Sequence, residues 1–238
     1  TFFTDWDSAF EFPIVPLGNY VIEASDINGD RGRSTVYIVE SGREVMTKVA
    51  YLGKGSVKVT VLDGGGNPVA NSALSLGSSH VFGYDTRTAD ANLQGIFTFE
   101  DIFIGNFSVS AKDTITGLGA SKSGNLSSNG QIVNVELRLT SWGSVEGKVF
   151  KSDGVTPVAG AKVVAGGLST ITDSSGAYRI DILPLGYYTV YAEHGSSRSK
   201  AQKNITLANH GEALKDVNII MPGHGSVVVT VYDESGLP

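Results

Sequence analysis

Four histidines are the first candidates for catalytic or metal chemistry in this sequence of 238 residues: His80, His194, His210 and His224. No two of them have the H-E-x-x-H spacing that brings two imidazoles onto one metal ion. Three have Gly or Ser neighbours, and His210 lies in the segment "NHGE". We therefore expect all four in exposed loops, without a metal centre.

The segment "DINGDRG", from Asp26 to Gly32, has Asp26, Asn28 and Asp30 at alternate positions, as in a calcium loop. A helix–loop–helix calcium site also needs an acid at the twelfth position, which is Tyr37. A turn of a β-hairpin is the preferred interpretation, with weak calcium binding as the alternative.

Other motifs give no constellation for catalysis. The glycine-rich "LDGGGNP" is not followed by Lys-Ser/Thr, and no G-x-S-x-G motif exists. Asn106, Asn125 and Asn204 begin N-x-S/T sequences and are possible glycosylation acceptors. We expect neither an enzyme nor a bound cofactor.

Composition sets further limits. The apolar fraction of 41% suits a globular chain, and no stretch of about 20 apolar residues could span a membrane. The net charge of −6 with scattered cations argues against a nucleic-acid partner, and the lack of cysteine excludes disulfides. Because the N-terminus has neither Met nor the pattern of a signal peptide, we expect a piece of a longer chain.

The elements that would position these residues belong to a repeat. The opening "GSVKVTV" at Gly55 recurs as "GSVEGKV" at Gly143 and "GSVVVTV" at Gly225, 88 and 82 residues apart. Alternation of apolar residues with a period of two predicts half-buried strands. A turn that ends in proline follows each opening: "DGGGNP", "SDGVTP" and "DESGLP".

A second signature occurs in the middle of each copy. Residues 172–192, "TDSSGAYRIDILPLGYYTVYA", align with residues 91–111 and with residues 4–24. Asp5, Asn92 and Asp173 hold equivalent turn positions in the three segments. The strands that follow are expected to turn these residues inward: Tyr20, Ile22, Ala24; Phe107, Val109, Ala111; Tyr188, Val190, Ala192. The last strands are expected over Val133–Leu139, Val217–Met221 and, in the first copy, Val45–Tyr51.

These patterns predict an all-β fold of tandem Greek-key β-sandwiches of the immunoglobulin-like class, arranged as a rod. The expected organisation has four parts: residues 1–54 as the C-terminal part of one repeat, 55–142 and 143–224 as complete repeats, and 225–238 as the first strand of another. Large inward residues such as Phe97, Phe99, Tyr178 and Ile180 are expected in the cores.

The two signatures together resemble the carboxypeptidase regulatory-like domain. Residues 143–192 carry G-x-V-x-G-x-V, P-V-A-G-A-x-V and T-D-x-x-G-x-Y-x-I-x-x-L-P-x-G-x-Y-x-V; residues 55–111 match with drift, since Phe103 stands where Pro184 stands. The resemblance implies a transthyretin-like sandwich and a non-catalytic module of secreted or surface proteins.

A neighbouring family, the collagen-adhesin B-type domains, often carries a Lys–Asn isopeptide bond that a buried acid promotes. The positions of the acid are Ala24, Ala111 and Ala192 here, and those of the lysine are Val61, Val149 and Val231. Asn134 and Asn218 therefore lack the partners that the resemblance requires, and we expect no isopeptide bond.

Trp142 lies between the last strand of one copy and the first strand of the next. We expect it to pack at the junction of two domains; an exposed platform for a sugar is the alternative. Residues 225–238 need a partner sheet. They either continue an array of repeats, which we favour, or are donated as a strand to a copy of the same chain.

The function expected is that of a non-catalytic stalk or filament region, extracellular or at the cell surface. One alternative is an adhesin module that binds carbohydrate or protein, with "SSHVFGYDTRTADANLQG" and "TGLGASKSGNLSSNG" as the long loops that bind. Accessory domains of a secreted peptidase are another alternative.

Overall fold

The computed structural model describes residues 9–195 and 199–236, and all regular elements in that part of the chain are β-strands. Within it, no helix exists that could cross a membrane. The strands are β1 Gly18–Ser25, β2 Arg31–Ile38, β3 Lys54–Leu62, β4 Ala73–His80, β5 Gly83–Asp90, β6 Ile96–Phe103, β7 Gly105–Lys112, β8 Gly119–Leu126, β9 Ile132–Arg138, β10 Trp142–Phe150, β11 Lys162–Ala165, β12 Leu168–Ile171, β13 Ala177–Pro184, β14 Gly186–His194, β15 Ser199–Leu207, β16 Ala213–Leu214 and β17 Ile219–Ile220.

Strands β3–β9 form the first sandwich. One sheet has the order β6-β3-β9 and the other β5-β4-β7-β8. The first strand, β3, pairs antiparallel with β6 and parallel with the last strand, β9. The two sheets share one core, because apolar residues of β3, β6 and β9 pack against those of β4, β7 and β8.

Strands β10–β17 form the second sandwich with the same plan. Its sheets have the orders β13-β10-β16 and β12-β11-β14-β15, and β17 also pairs with β10. The last strand is interrupted here, so that its two short parts, β16 and β17, each run parallel to β10. The Greek-key sandwich class expected from the sequence is confirmed.

The expected inward residues are buried in both sandwiches. Phe107, Val109, Ala111, Val190 and Ala192 are at most 4% exposed. The expected core aromatics Phe99 and Tyr178 are 3% and 5% exposed, whereas Phe97 and Tyr188 are half-buried at the margin of each core.

Tyr178 connects the two sides of the second core. Its hydroxyl donates a 2.6 Å hydrogen bond to the carbonyl oxygen of Val217, which precedes β17. Burial raises the pKa of this hydroxyl, so Tyr178 remains a neutral donor. The ring therefore fixes the last segment of the repeat as well as filling the core.

Strands β1 and β2 form a hairpin, the N-terminal hairpin, over eight residue pairs. Tyr20, Ile22 and Ala24 lie on its less exposed face, as expected. The expected last strand over Val45–Tyr51 is wrong: this segment makes only an isolated bridge between Tyr51 and Gly32. In the complete sandwiches that strand pairs with the first strand of the same repeat, and no described strand takes this place beside residues 45–51.

The segment 225–236 has the sequence of a first strand but forms no ladder. Its valines at 227, 228, 229 and 231 are 75–89% exposed. A strand gains its hydrogen bonds only from a neighbour, so the alternating pattern gives the capacity for a strand and not the strand itself. Residues 237 and 238 lie outside the described residues.

Side chains of Asp and Asn hold many of the turns between strands. Asn92 Oδ1 accepts from the amides of Gln94 and Ile96, and Asp173 Oδ1 accepts from those of Ser175 and Ala177. These equivalent turns precede β6 and β13, as the alignment predicts. The third equivalent position, Asp5, lies outside the described residues.

Truncation of Tyr178 tests the second core. We expect Tyr178→Ala to lower the free energy of unfolding by about 3–5 kcal/mol, because a buried ring is replaced by a cavity. Tyr178→Phe should cost about 1 kcal/mol, since it leaves the Val217 carbonyl without its donor. Chemical denaturation measures both; equal stability of all three chains would contradict the assignment.

Asp153 predicts a dependence of stability on pH. The hydroxyl of Thr156 and the amides of Val155 and Thr156 lower the pKa of Asp153 from 3.8 to about 2. A carboxyl with a lowered pKa stabilises the fold above its unfolded pKa and loses this contribution as pH falls through its folded pKa. Between about pH 4 and pH 2, Asp153→Asn should therefore lose less stability than the native chain. Melting temperatures across this range provide the measurement, and parallel curves would contradict it.

Candidate functional site

The junctions between the folded units are the best-defined candidate site. The first junction joins the N-terminal hairpin to the first sandwich through Asp30, Arg31, Arg33, Lys54 and Phe82. The second junction joins the two sandwiches. Among the described residues no group of three or more His, Asp or Glu side chains could hold a metal ion.

Phe82 is the centre of the first junction. It lies at the tip of the β4–β5 hairpin, and the guanidinium carbons of Arg31 and Arg33 lie 4.4 and 5.6 Å from its ring centroid. Arg33 also donates a 2.7 Å hydrogen bond to the carbonyl of Val81 at the same tip. The side chain of Glu23 binds both arginines from β1 and orients them. Cations over an aromatic face are attracted by its quadrupole, so the tip is fixed on β2.

An aromatic cluster supports this tip from the first sandwich. The rings of His80 and Phe82 lie 4.9 and 5.5 Å from that of Phe103, and His80 Nε2 lies 2.9 Å from Asp85 Oδ2. The expected loop position of His80 is wrong: it lies on β4 with a side chain only 3% exposed. The sequence shows a His between Ser and Val, but only the sandwich brings Phe103 beside it.

The proposed calcium loop forms the turn between β1 and β2 and borders the first junction. Asp26 Oδ1 accepts from the amides of Asn28 at 2.9 Å and Asp30 at 2.8 Å. These amides contribute to lowering the pKa of Asp26, with the Asp30 amide as the largest cause. Asp30 Oδ1 lies 2.6 Å from Lys54 Nζ of the first sandwich. Because these oxygens already bind turn amides and a lysine, the geometry favours the turn over the calcium alternative.

The second junction is formed by Asp63, Gly64, Ser141, Trp142 and His210. His210 Nε2 lies 3.5 Å from Asp63 Oδ2 across the two sandwiches. The Trp142 amide points at His210 Nδ1, 3.4 Å away, and the two rings meet edge to face at 5.8 Å. A Cβ on Gly64 would overlap the Ser141 side chain and come within 2.9 Å of His210 Nδ1. Glycine is therefore needed at 64 for the close approach of the sandwiches.

Equivalent hydrogen bonds hold the first residue of β3 and the first residue of β10. Gly130 donates to the carbonyl of Lys54, and Gly211 donates to that of Trp142, both at 2.7 Å. The side-chain oxygens of Gln131 and Glu212 each accept from two amides of the loop that precedes them. Each linker is thus attached to the loop before the last strand of its own sandwich.

Two segments expected to be binding loops are strands instead. Residues 78–95 contain the end of β4, all of β5 and the tip that docks at the first junction, and residues 116–130 contain β8. The length of these segments reflects strands of eight residues, against four in β11 and β12 of the second sandwich. The alternative of an adhesin module therefore loses the two loops that were expected to bind carbohydrate or protein.

The three possible glycosylation acceptors all occupy exposed strand positions: Asn106 on β7, Asn125 on β8 and Asn204 on β15. Asn125 Nδ2 donates to Asn106 Oδ1 at 2.9 Å, and Asn204 Oδ1 accepts from the Thr189 hydroxyl at 2.9 Å. Their amides are partnered within the sheets.

The residues relevant to an isopeptide bond lie on opposite faces of the sheets. Val61, Val149, Ala111 and Ala192 are buried in the two cores, while Asn134 and Asn218 are exposed. Asn218 Oδ1 accepts from the Lys148 amide at 2.9 Å. No buried lysine, acid and asparagine come together at these positions in the two complete sandwiches.

The family model of the carboxypeptidase regulatory-like domain matches residues 144–222. A carboxypeptidase regulatory-like domain therefore forms the second sandwich. The matched range runs from β10 to the residue after Met221, which is the whole core of that sandwich. A search of curated proteins gives no match to the chain.

Several solved structures are similar to the chain at low sequence identity. A streptococcal ancillary pilin is 13% identical, with a TM-score of 0.45 over 88% of this chain and 77% of its own. GBS52, the minor pilin of Streptococcus agalactiae, is 15% identical, with a TM-score of 0.47 over 74% of this chain and 100% of its own. The shaft pilin SpaA of Lactobacillus rhamnosus GG is 10% identical, with a TM-score of 0.37 over 74% and 100%.

Proposed function

We propose that this chain is a non-catalytic structural region of a secreted or cell-surface protein and serves as a semi-rigid spacer in a stalk or filament. The observation that carries the proposal is the construction of its linkers. Only residues 139–141 separate β9 from β10, and the entries of β3 and β10 are held by equivalent hydrogen bonds. A linker fixed in this way restricts rotation between neighbouring units.

We further propose that the units are tandem repeats of the carboxypeptidase regulatory-like type, with residues 1–54, 55–142, 143–224 and 225–238 as the successive parts. The N-terminal hairpin supports this organisation. The Tyr20 hydroxyl donates to the Pro16 carbonyl at 2.7 Å, and the Tyr188 hydroxyl donates to that of Pro184 at 2.8 Å. The same local contact thus occurs in the partial repeat and in the second sandwich.

The partners proposed are neighbouring repeats or copies of the same chain. Segment 225–236 has an exposed first-strand sequence, and no described first strand pairs with residues 45–51, the last-strand segment of the partial repeat. In both sandwiches the first strand lies between the fourth and the last strand of the repeat. Continuation of the array provides this pairing within one chain, and donation of the strand provides it between chains.

Small-angle X-ray scattering tests the spacer role. We expect an elongated particle with a narrow range of shapes. Phe82→Ala should widen that range, because it removes the ring that receives Arg31 and Arg33, contacts worth about 0.5–1 kcal/mol each. Trp142→Ala should loosen the second junction in the same way.

Leu93→Ala is the matched control, since Leu93 is an exposed turn residue outside both junctions. A compact native particle would contradict the spacer role, and so would identical scattering from Phe82→Ala and the native chain. A concentration series of the same samples reports association of copies, which strand donation requires.

Carbohydrate binding is a second candidate function, favoured by an exposed pair of aromatic residues. Tyr187 and Tyr191 lie on the outer face of β14 and are 66% and 45% exposed. Gln202 pairs with Tyr191 from β15, and Asn204 pairs with Thr189 between the two tyrosines. Aromatic faces beside amide and hydroxyl groups suit sugar rings, which offer C–H faces and hydroxyls.

A glycan array with the native chain tests this candidate. The variant Tyr187→Asn/Tyr191→Ser copies Asn106 and Ser110, which hold the equivalent positions of the first sandwich. We expect it to lose at least about tenfold in affinity for any retained glycan, the effect of about 1.4 kcal/mol, with an unchanged melting temperature. Absence of any retained glycan, or equal binding by the variant, would contradict the candidate.

A further inference from the structure

The two junctions differ at one equivalent position that can change its charge. Asn129 and His210 each precede the glycine that binds the linker carbonyl. Asn129 Oδ1 accepts from the Lys54 amide at 3.0 Å, and His210 Nδ1 faces the Trp142 amide at 3.4 Å. Both side chains therefore accept from the first residue of a sandwich, but only the imidazole can bind a further proton and become charged.

The contacts of His210 determine where its proton lies. Since the Trp142 N–H points at Nδ1, this nitrogen is the acceptor in the neutral ring. The remaining proton is on Nε2, which faces Asp63 Oδ2 at 3.5 Å. The ring thus contacts its own sandwich through Nδ1 and the preceding sandwich through Nε2.

Three charged side chains lie on the described elements packed at this junction. Asp63 faces it from the turn after β3. Glu212 lies in the same loop as His210, and its carboxylate accepts from the amides of that loop. Arg138 lies beside the turn after β3 but pairs with Glu136 at 2.9 Å. Asp63 is therefore the carboxylate in direct contact with the imidazole.

Asp63 keeps its charge in mild acid. Burial raises its pKa, but hydrogen bonds from the Asn67 amide and side chain and from the Gly65 amide, together with the nearby His210, hold the pKa below its ordinary value. The Asn67 amide lies 2.8 Å from Asp63 Oδ1, and Oδ2, which faces His210, also accepts from Asn67 Nδ2 at 3.1 Å.

We propose that His210 is a proton-dependent latch between the two sandwiches, which tightens the second junction when it becomes protonated. Protonation adds a positive charge opposite Asp63, in a place where His210 and Asp63 are only 18% and 27% exposed. Protonation of Nδ1 removes its hydrogen bond from the Trp142 amide. This bond lies within the second sandwich and is weak, because its length is 3.4 Å. In acid the second sandwich therefore loses its internal Trp142–His210 contact, and the His210–Asp63 contact between the two sandwiches becomes stronger.

The glycines at the turn make the latch sensitive to position. Added Cβ atoms at Gly64 and Gly65 would lie 2.9 and 3.2 Å from atoms of the His210 ring. The backbone of the first sandwich thus packs directly on the imidazole, so a change in the His210–Asp63 contact alters the spacing of the sandwiches. The inference concerns the junction itself and does not depend on the spacer role.

Distance measurements between two spin labels test the latch. The sequence has no cysteine, so Ile132→Cys in the first sandwich and Val155→Cys in the second give a unique labelled pair; both native side chains are exposed. We expect the population with the shorter distance between the labels to rise about two- to fivefold, relative to the population with the longer distance, from pH 8 to pH 5. This is the range expected for a partly exposed ion pair.

His210→Asn is the matched control, because it copies Asn129 and keeps an acceptor for the Trp142 amide. Asp63→Asn keeps the shape of the partner and removes its charge. Both variants should give distributions that do not change between pH 8 and pH 5. The latch is overturned if the native distribution is also unchanged, or if His210→Asn responds to pH as the native chain does.

Discussion

The parallel pairing of the first strand with the last strand of each repeat is the interaction on which the rest of the structure depends. Strand β3 lies between β6 and β9, and β10 lies between β13 and the β16–β17 segment. This pairing joins the two ends of the repeat, which are far apart in sequence, and is the contact with the greatest cost in loop closure. Once it forms, the apolar faces of both sheets close on one core.

Two segments of the described chain show the consequence when this pairing is missing. Residues 45–51 have the composition of a last strand, and residues 225–231 that of a first strand, but neither forms a ladder. Both retain large exposed apolar side chains, such as Met46 and Val228. The sequence of a strand is thus insufficient without a neighbour that supplies its hydrogen bonds.

The two junctions hold neighbouring folded units together through different contacts. In each, the loop before the last strand binds the incoming linker, so the first strand is fixed at its start to the sandwich to which it belongs. The first junction adds a hairpin tip with Phe82 under two arginines, which the shorter β11–β12 hairpin does not provide at its own tip. The second adds a histidine opposite a carboxylate. One junction is therefore held by cations over an aromatic ring, and the other by an imidazole opposite a carboxylate.

The sequence by itself determined the strands, the turns and the inward faces, because these depend on local alternation and on the conformational preferences of Gly, Asp, Asn and Pro. The buried series Phe107–Val109–Ala111 and the turn at Asp173 follow directly from such patterns. Only the tertiary structure decided the burial of His80, the docking of Phe82 on Arg31 and the meeting of His210 with Asp63. Asp63 and His210 are 147 residues apart in the chain, and no local pattern encodes a contact that forms only after two sandwiches have folded and packed against each other.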